Sequence, residues 1–122
     1  MKILHKVSTF TKVEKEGCFI ATVDKNHLYE LNVVKIPPRG KLRLHKHRRP
    51  CNGIEVYIFK GGKFKIKIND RIEFSPMIVR IDSEEPHEIE NLSDEWLEFY
   101  AIYIPPFEEG EVVKDTEAIN AA

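Results

Sequence analysis

The stretch Gly40–Gly62, GKLRLHKHRRPCNGIEVYIFKGG, decides how this chain is read. His45 and His47 stand two apart in a run whose residues alternate between two kinds. Side chains at i and i+2 of an extended strand point the same way. Arg43, His45 and His47 are therefore expected on one face, with Leu42, Leu44 and Lys46 on the other. A second run, Glu55 to Phe59, is rich in strand-forming residues and ends in the turn signal Lys60-Gly61-Gly62. Two imidazoles on one strand and a carboxylate opening the next are arranged to converge on a metal ion.

Outward from this stretch the punctuation is that of an all-β protein. Cys18 to Val23 and Leu28 to Ile36 read as strands, separated by Asp24-Lys25-Asn26 and closed by Pro37-Pro38-Arg39-Gly40. Lys63 to Ile68 alternates strictly, lysine with apolar residue, as a half-buried strand does. Ile72 to Phe74, Met77 to Ile81, His87 to Glu90 and Trp96 to Ile104 follow. Pro105-Pro106 stops the last run, because proline cannot donate to a strand ladder. No segment before residue 107 has a helical apolar period. Roughly nine or ten short strands at close spacing predict a sandwich or barrel. The acidic stretch from Glu108 to Ala122 adds a short helix or none; the sequence leaves both open.

Composition narrows the class of function. A chain of 122 residues, 42% of them apolar, is expected to form one globular domain (1–122), its core at about 28–106 and a tail at 107–122. A formal net charge of −1 gives no general attraction to nucleic acid or anionic membrane. The basic run at Arg39–Arg49 also lacks the interleaved aromatic residues of a nucleic-acid surface. No apolar run approaches the ~20 residues of a membrane helix. The start, MKILHKVSTF, lacks the apolar core of about 7–15 residues found in secretory signals. The expected address is cytoplasmic, where Cys18 and Cys51 are free thiols. Charged residues at 32% and the absence of glutamine lean toward a thermophilic source. A small barrel with exposed sheet edges is expected to pair as a homodimer, through apolar strands in the Cys18–Ile36 region.

Gly40, the His45-x-His47 pair, Glu55 and Gly62, with six residues between the last two, resemble the first motif of the cupin superfamily. His87 followed by Asn91 resembles its second motif, His-x-x-x-Asn. The resemblance spans roughly residues 28–106. It implies a cupin-type β-barrel, a double-stranded β-helix or jelly roll, holding one divalent transition metal (Mn, Fe, Co, Ni, Cu or Zn). The implied ligands are His45, His47, Glu55 and His87, with Asn91 structural. Imidazoles with one carboxylate suit these metals rather than calcium. The chain departs from the family in the seven residues between His47 and Glu55, which read as a lengthened loop. Cys51 falls where a shorter loop would put the ligand and is a rival to Glu55. Asp82 and Glu84 stand where the second motif often has proline and glycine, and Pro86 stiffens the turn instead.

Metal-dependent chemistry on a small polar, possibly anionic molecule follows as the expected function, either a dioxygenase-like oxidation or a sugar isomerase or epimerase reaction. A non-catalytic small-ligand-binding barrel is the alternative, since this fold hosts many functions. Arg48 and Arg49 are candidate grips for a carboxylate or phosphate, and Tyr57 a candidate pocket wall. Against this, six basic residues at Arg39–Arg49 and five acids at Asp82–Glu90 are able to neutralise one another in ion pairs. Tyr57 and Phe59, on the face of Glu55, equally suit barrel lining. His5 and His27 have no motif around them.

Overall fold

Strict alternation in Phe64-Lys65-Ile66-Lys67-Ile68 has the consequence expected of it: Phe64 and Ile66 are buried, and the lysines lie toward solvent. The computed structural model describes residues 9–14 and 16–113. His5 and the end of the tail, residues 114–122, fall outside the described residues. In chain order come β1 (Thr11–Val13), β2 (Cys18–Lys25), β3 (Glu30–Ile36), β4 (Lys41–His47), β5 (Ile54–Phe59) and β6 (Phe64–Ile68). They are followed by β7 (Arg71–Phe74), β8 (Ile78–Asp82), β9 (His87–Asn91), β10 (Leu97–Ile104) and β11 (Val112–Val113). Two antiparallel sheets result, ordered β1-β2-β3-β10-β5-β8 and β11-β4-β9-β6-β7. Their inner faces share one core, in the jelly-roll manner.

Along the inner faces the residues change from apolar to polar toward one end. On β3 the buried series runs Ile36, Val34, Asn32, Glu30; on β5 it runs Phe59, Tyr57, Glu55. On β10 it runs Leu97, Phe99, Ala101, Tyr103, and on β9 Ile89 gives way to His87. Register holds these polar ends side by side: Tyr103 pairs with Glu30 on one flank and Glu55 on the other, and His45 pairs with His87. At the apolar end, Phe59 stacks on Phe64 across the two sheets at 4.1 Å and lies 4.6 Å from Phe99. Each such ring contributes about 1.5–3 kcal/mol by leaving water. The fold is thus an oily plug with a polar mouth.

Strand β4 departs from simple alternation. Leu42 pairs with Ile89 and His45 with His87, so β4 carries one residue more than its partner between these points. This bulge turns both Leu42 and His45 inward and leaves Arg43 and Leu44 exposed. The expected face of Arg43, His45 and His47 is corrected accordingly: Arg43 lies outside, where its Nη1 donates to Glu14 O.

The lengthened loop is a 3-10 turn, Pro50–Asn52, with Cys51 at φ 54°. It leaves Cys51 exposed and delivers a buried Glu55. Gly53 follows because a Cβ there would stand 2.4 Å from Ile104 O. Gly62, at φ +106°, makes the turn from β5 to β6 where a side chain would strike Leu97. Asn91 is buried and ties two loops together, its amide donating to Pro37 O and Glu95 O and its Oδ1 accepting from Ser93 N. Beyond Pro105 the chain forms no helix through Val113. It adds β11 to β4, Val112 opposite His47, and so carries Glu111 into the interior.

Candidate metal centre

Three imidazoles meet at the polar end. His45 and His47 come from β4 and His87 opens β9; their ring centroids lie 4.3 Å (His45–His87), 5.1 Å (His45–His47) and 5.8 Å (His47–His87) apart. One nitrogen of each ring lies within 4.8 Å of the others. The opposite nitrogens are anchored. His45 Nδ1 is 2.7 Å from Arg43 O, and His87 Nδ1 is 2.9 Å from Glu85 O. A carbonyl oxygen only accepts, so Nδ1 carries the proton and the lone pair falls on Nε2. His47 Nδ1 lies 2.7 Å from Glu111 Oε2, which sets the same tautomer. Hydrogen bonds of this kind orient imidazole ligands toward a metal.

The facing sheet supplies a carboxylate. Glu55 Oε1 lies 3.4 Å from His47 Nε2, and Oε2 lies 3.8 Å from His87 Nε2. The Tyr57 hydroxyl donates to Glu55 Oε1 at 3.1 Å and is 3.2 Å from His87 Nε2. Burial pushes the Glu55 carboxyl up from 4.5 to about 8, against the pull of Tyr57 and Arg49. Burial likewise holds His87 well below the ordinary 6.5, helped by His45 and His47, so its ring stays neutral. Glu55 Oε2 is buried and accepts no hydrogen bond. An orphaned carboxylate oxygen facing imidazole nitrogens is a site that a cation relieves. Three neutral imidazoles and one carboxylate are the donor set of a first-row transition metal.

Of the four, His47 alone lines a cavity of about 340 Å³, whose wall also includes Tyr103, Phe107, Glu16, Glu30 and Asn32. Burial raises the Tyr103 hydroxyl well above its ordinary pKa, so it remains a proton donor. A larger hollow of about 710 Å³ lies elsewhere, lined by residues such as Ile68, Arg71 and Val79, and includes none of the histidines.

Other residues singled out from sequence have different surroundings. Arg48 is exposed and its Nε donates to Glu84 Oε1 at 3.1 Å, the ion-pair arrangement. Arg49 is buried: Nη1 bonds Glu111 Oε1 at 2.5 Å, Nη2 bonds Pro105 O, and the guanidinium lies 5.3 Å from the Tyr103 ring. Neither arginine lines the cavity. Tyr57 is buried behind Glu55, packed against Phe99 at 5.1 Å. Sequence reading missed Glu111, which orients His47, and the wall residues Glu16, Glu30, Asn32 and Tyr103. One signal for Glu111 was present, a lone acid between Gly110 and the strand-forming pair Val112-Val113.

Neither protein-family models nor curated proteins match the sequence. Solved structures do match in fold. KdgF from Halomonas sp. is 15% identical, with 84% of this chain and 90% of that chain covered and a TM-score of 0.71. An RmlC-like cupin from Shewanella frigidimarina is 13% identical over 83% and 86%, with a TM-score of 0.68. A predicted oxalate decarboxylase from Thermotoga maritima is 26% identical over 72% and 80%, with a TM-score of 0.61. Among the described residues, no helix is long and apolar enough to cross a membrane.

Proposed function

We propose that this chain, which has the cupin fold, holds one divalent transition metal on His45, His47, His87 and Glu55 and acts on a small polar molecule at the cavity beside them. The observation that carries the proposal is the anchoring of all three Nδ1 atoms, which puts a lone pair on each Nε2, two of them beside the buried Glu55 carboxylate. When bound, the metal supplies a Lewis acid with positions open to a substrate oxygen. The chain does the rest. Tyr57 holds Glu55 through its hydroxyl, and Glu111, itself clamped by Arg49, holds His47. Tyr103 offers a hydroxyl at the wall, and the aromatic plug behind Tyr57 keeps water out of the base of the site. Fold likeness to a predicted oxalate decarboxylase and to KdgF does not choose between oxidative and isomerising chemistry, and the metal separates them. Iron or copper supports oxidation; zinc or manganese supports isomerisation.

Protein purified without chelator is expected to carry about one transition metal per chain by elemental analysis. Less than roughly a tenth of an equivalent, both as isolated and after reconstitution, would refute the proposal.

A further inference from the structure

The cavity wall that includes His47 also carries two buried acceptors, Glu30 and Asn32, beside the hydroxyls of Thr9, Thr11, Thr22 and Tyr103. Glu30 and Asn32 are buried on the inward face of β3, at positions where the same face carries Val34 and Ile36 deeper in the core. A strand that needed only to fill a core would continue with apolar residues there. The Asn32 amide donates to Glu30 Oε2 at 2.9 Å, which fixes Oδ1 as the atom turned elsewhere. Asn32 Oδ1 accepts no hydrogen bond, and neither does Glu30 Oε1, whose charge is paired with Lys25 Nζ at 3.3 Å. Glu16 stands in the same wall, and its field reaches Glu55 and Tyr103. Among the described residues, no lysine or arginine lines this cavity.

A buried acceptor with nothing to accept costs about 1–3 kcal/mol. Asn32 Oδ1, in a cavity whose wall includes His47, calls for a ligand that brings a donor, and Glu30 Oε1 has hydrogen-bonding capacity for a second. A carboxylate or phosphate brings only acceptors and sets lone pair against lone pair at Asn32 Oδ1 and Glu30 Oε1. The metal makes the opposite demand, for a lone pair. We infer that the cavity takes a small molecule of two unlike ends: an oxygen donor atom for the metal, and hydroxyl or ammonium groups for Asn32 and Glu30. A polyol or amino-polyol acid fits this description, and a dicarboxylate does not. This inference rests on the metal-centre reading above and goes beyond it, naming the substrate class and the residues that select it.

Gluconate and glucarate test it, because they share one six-carbon chain and differ only in whether the far end is a hydroxyl or a second carboxylate. Titration calorimetry on metal-loaded protein is expected to show gluconate binding at least tenfold more tightly than glucarate. Glu30→Gln, which is close in shape, is expected to bring the two within about threefold of each other, and Asn32→Ala to weaken gluconate alone by a similar factor. Metal content, measured on the same samples, is expected to be unchanged in both variants. Glucarate binding as tightly as gluconate, a preference untouched by both substitutions, or neither acid binding at tens of millimolar would each overturn the inference. If the protein takes up no metal, the metal-centre reading fails separately. The pair is then compared on the metal-free protein, where the acceptor wall alone predicts the same order.

Discussion

Replacing Glu55 by glutamine is expected to do two opposite things, weakening metal retention while stabilising the metal-free protein at alkaline pH. The first follows from losing the carboxylate ligand. The second follows from burial. In the metal-free fold the Glu55 carboxyl titrates at about 8, against 4.5 ordinarily. Below pH 4.5 both folded and unfolded chains carry the proton, and the group has no effect on stability. Between pH 4.5 and 8 the unfolded chain ionises first, so stability falls as pH rises, and the loss is complete above 8. The side chain is fully buried, so the loss is on the order of a few kcal/mol. Glutamine removes this slope. Chelated wild-type protein should therefore melt lower at pH 8 than at pH 5, and chelated Glu55→Gln should show little of that fall. With metal present the ranking reverses, because the wild type gains more stability on adding it than the variant does. Parallel pH profiles for both chelated proteins would refute the assignment of Glu55 to a buried, cation-seeking position.

The second large effect concerns a residue remote in sequence. Glu111→Ala is expected to lower stability by about 3–5 kcal/mol, a fall in melting temperature on the order of 10–20 °C. Removing this carboxylate strands the buried Arg49 guanidinium as an uncompensated charge and leaves His47 Nδ1 without its acceptor. The double variant Arg49→Met with Glu111→Leu should recover much of that loss, because a buried ion pair replaced whole by apolar groups is often neutral. Metal affinity should not recover with it. His47 has lost its orienting bond in both proteins, and such a loss costs roughly 10–100-fold in affinity. Stability and metal affinity that returned together in the double variant would reduce Glu111 to a packing residue. A Glu111→Ala protein melting within about two degrees of wild type would dismiss the buried clamp altogether.

Much of this architecture is legible in the chain because two-residue periodicity is a local signal. The Phe64–Ile68 alternation, the Glu55-Tyr57-Phe59 face and the proline stop at Pro105 all depend on neighbours a few residues away. The His45-x-His47 pair was legible for the same reason, and His87 through the motif it shares with Asn91. What escaped was set at longer range. The bulge in β4 that turns Leu42 inward and Arg43 outward arises from pairing with β9, more than forty residues further along. Arg49 reads as a surface cation until Glu111 and Pro105 arrive from the far end of the chain to bury it. Lys46, placed by the alternation on the face opposite the histidines, is buried and reaches Glu84 at 2.7 Å. Glu30 and Asn32 fall inside the strand read at Leu28–Ile36, and nothing local in sequence tells that both are buried with an oxygen that accepts no hydrogen bond.

X-ray absorption on protein reconstituted with zinc tests the central claim most directly, because it reads the ligand atoms rather than a consequence of them. The account predicts a first shell of nitrogen and oxygen at about 2.0–2.2 Å, with the outer-shell scattering of three imidazoles and no sulfur. A sulfur shell near 2.3 Å would hand the fourth position to Cys51, and fewer than two imidazoles would contradict a centre built on His45, His47 and His87 (both about, for tetrahedral zinc).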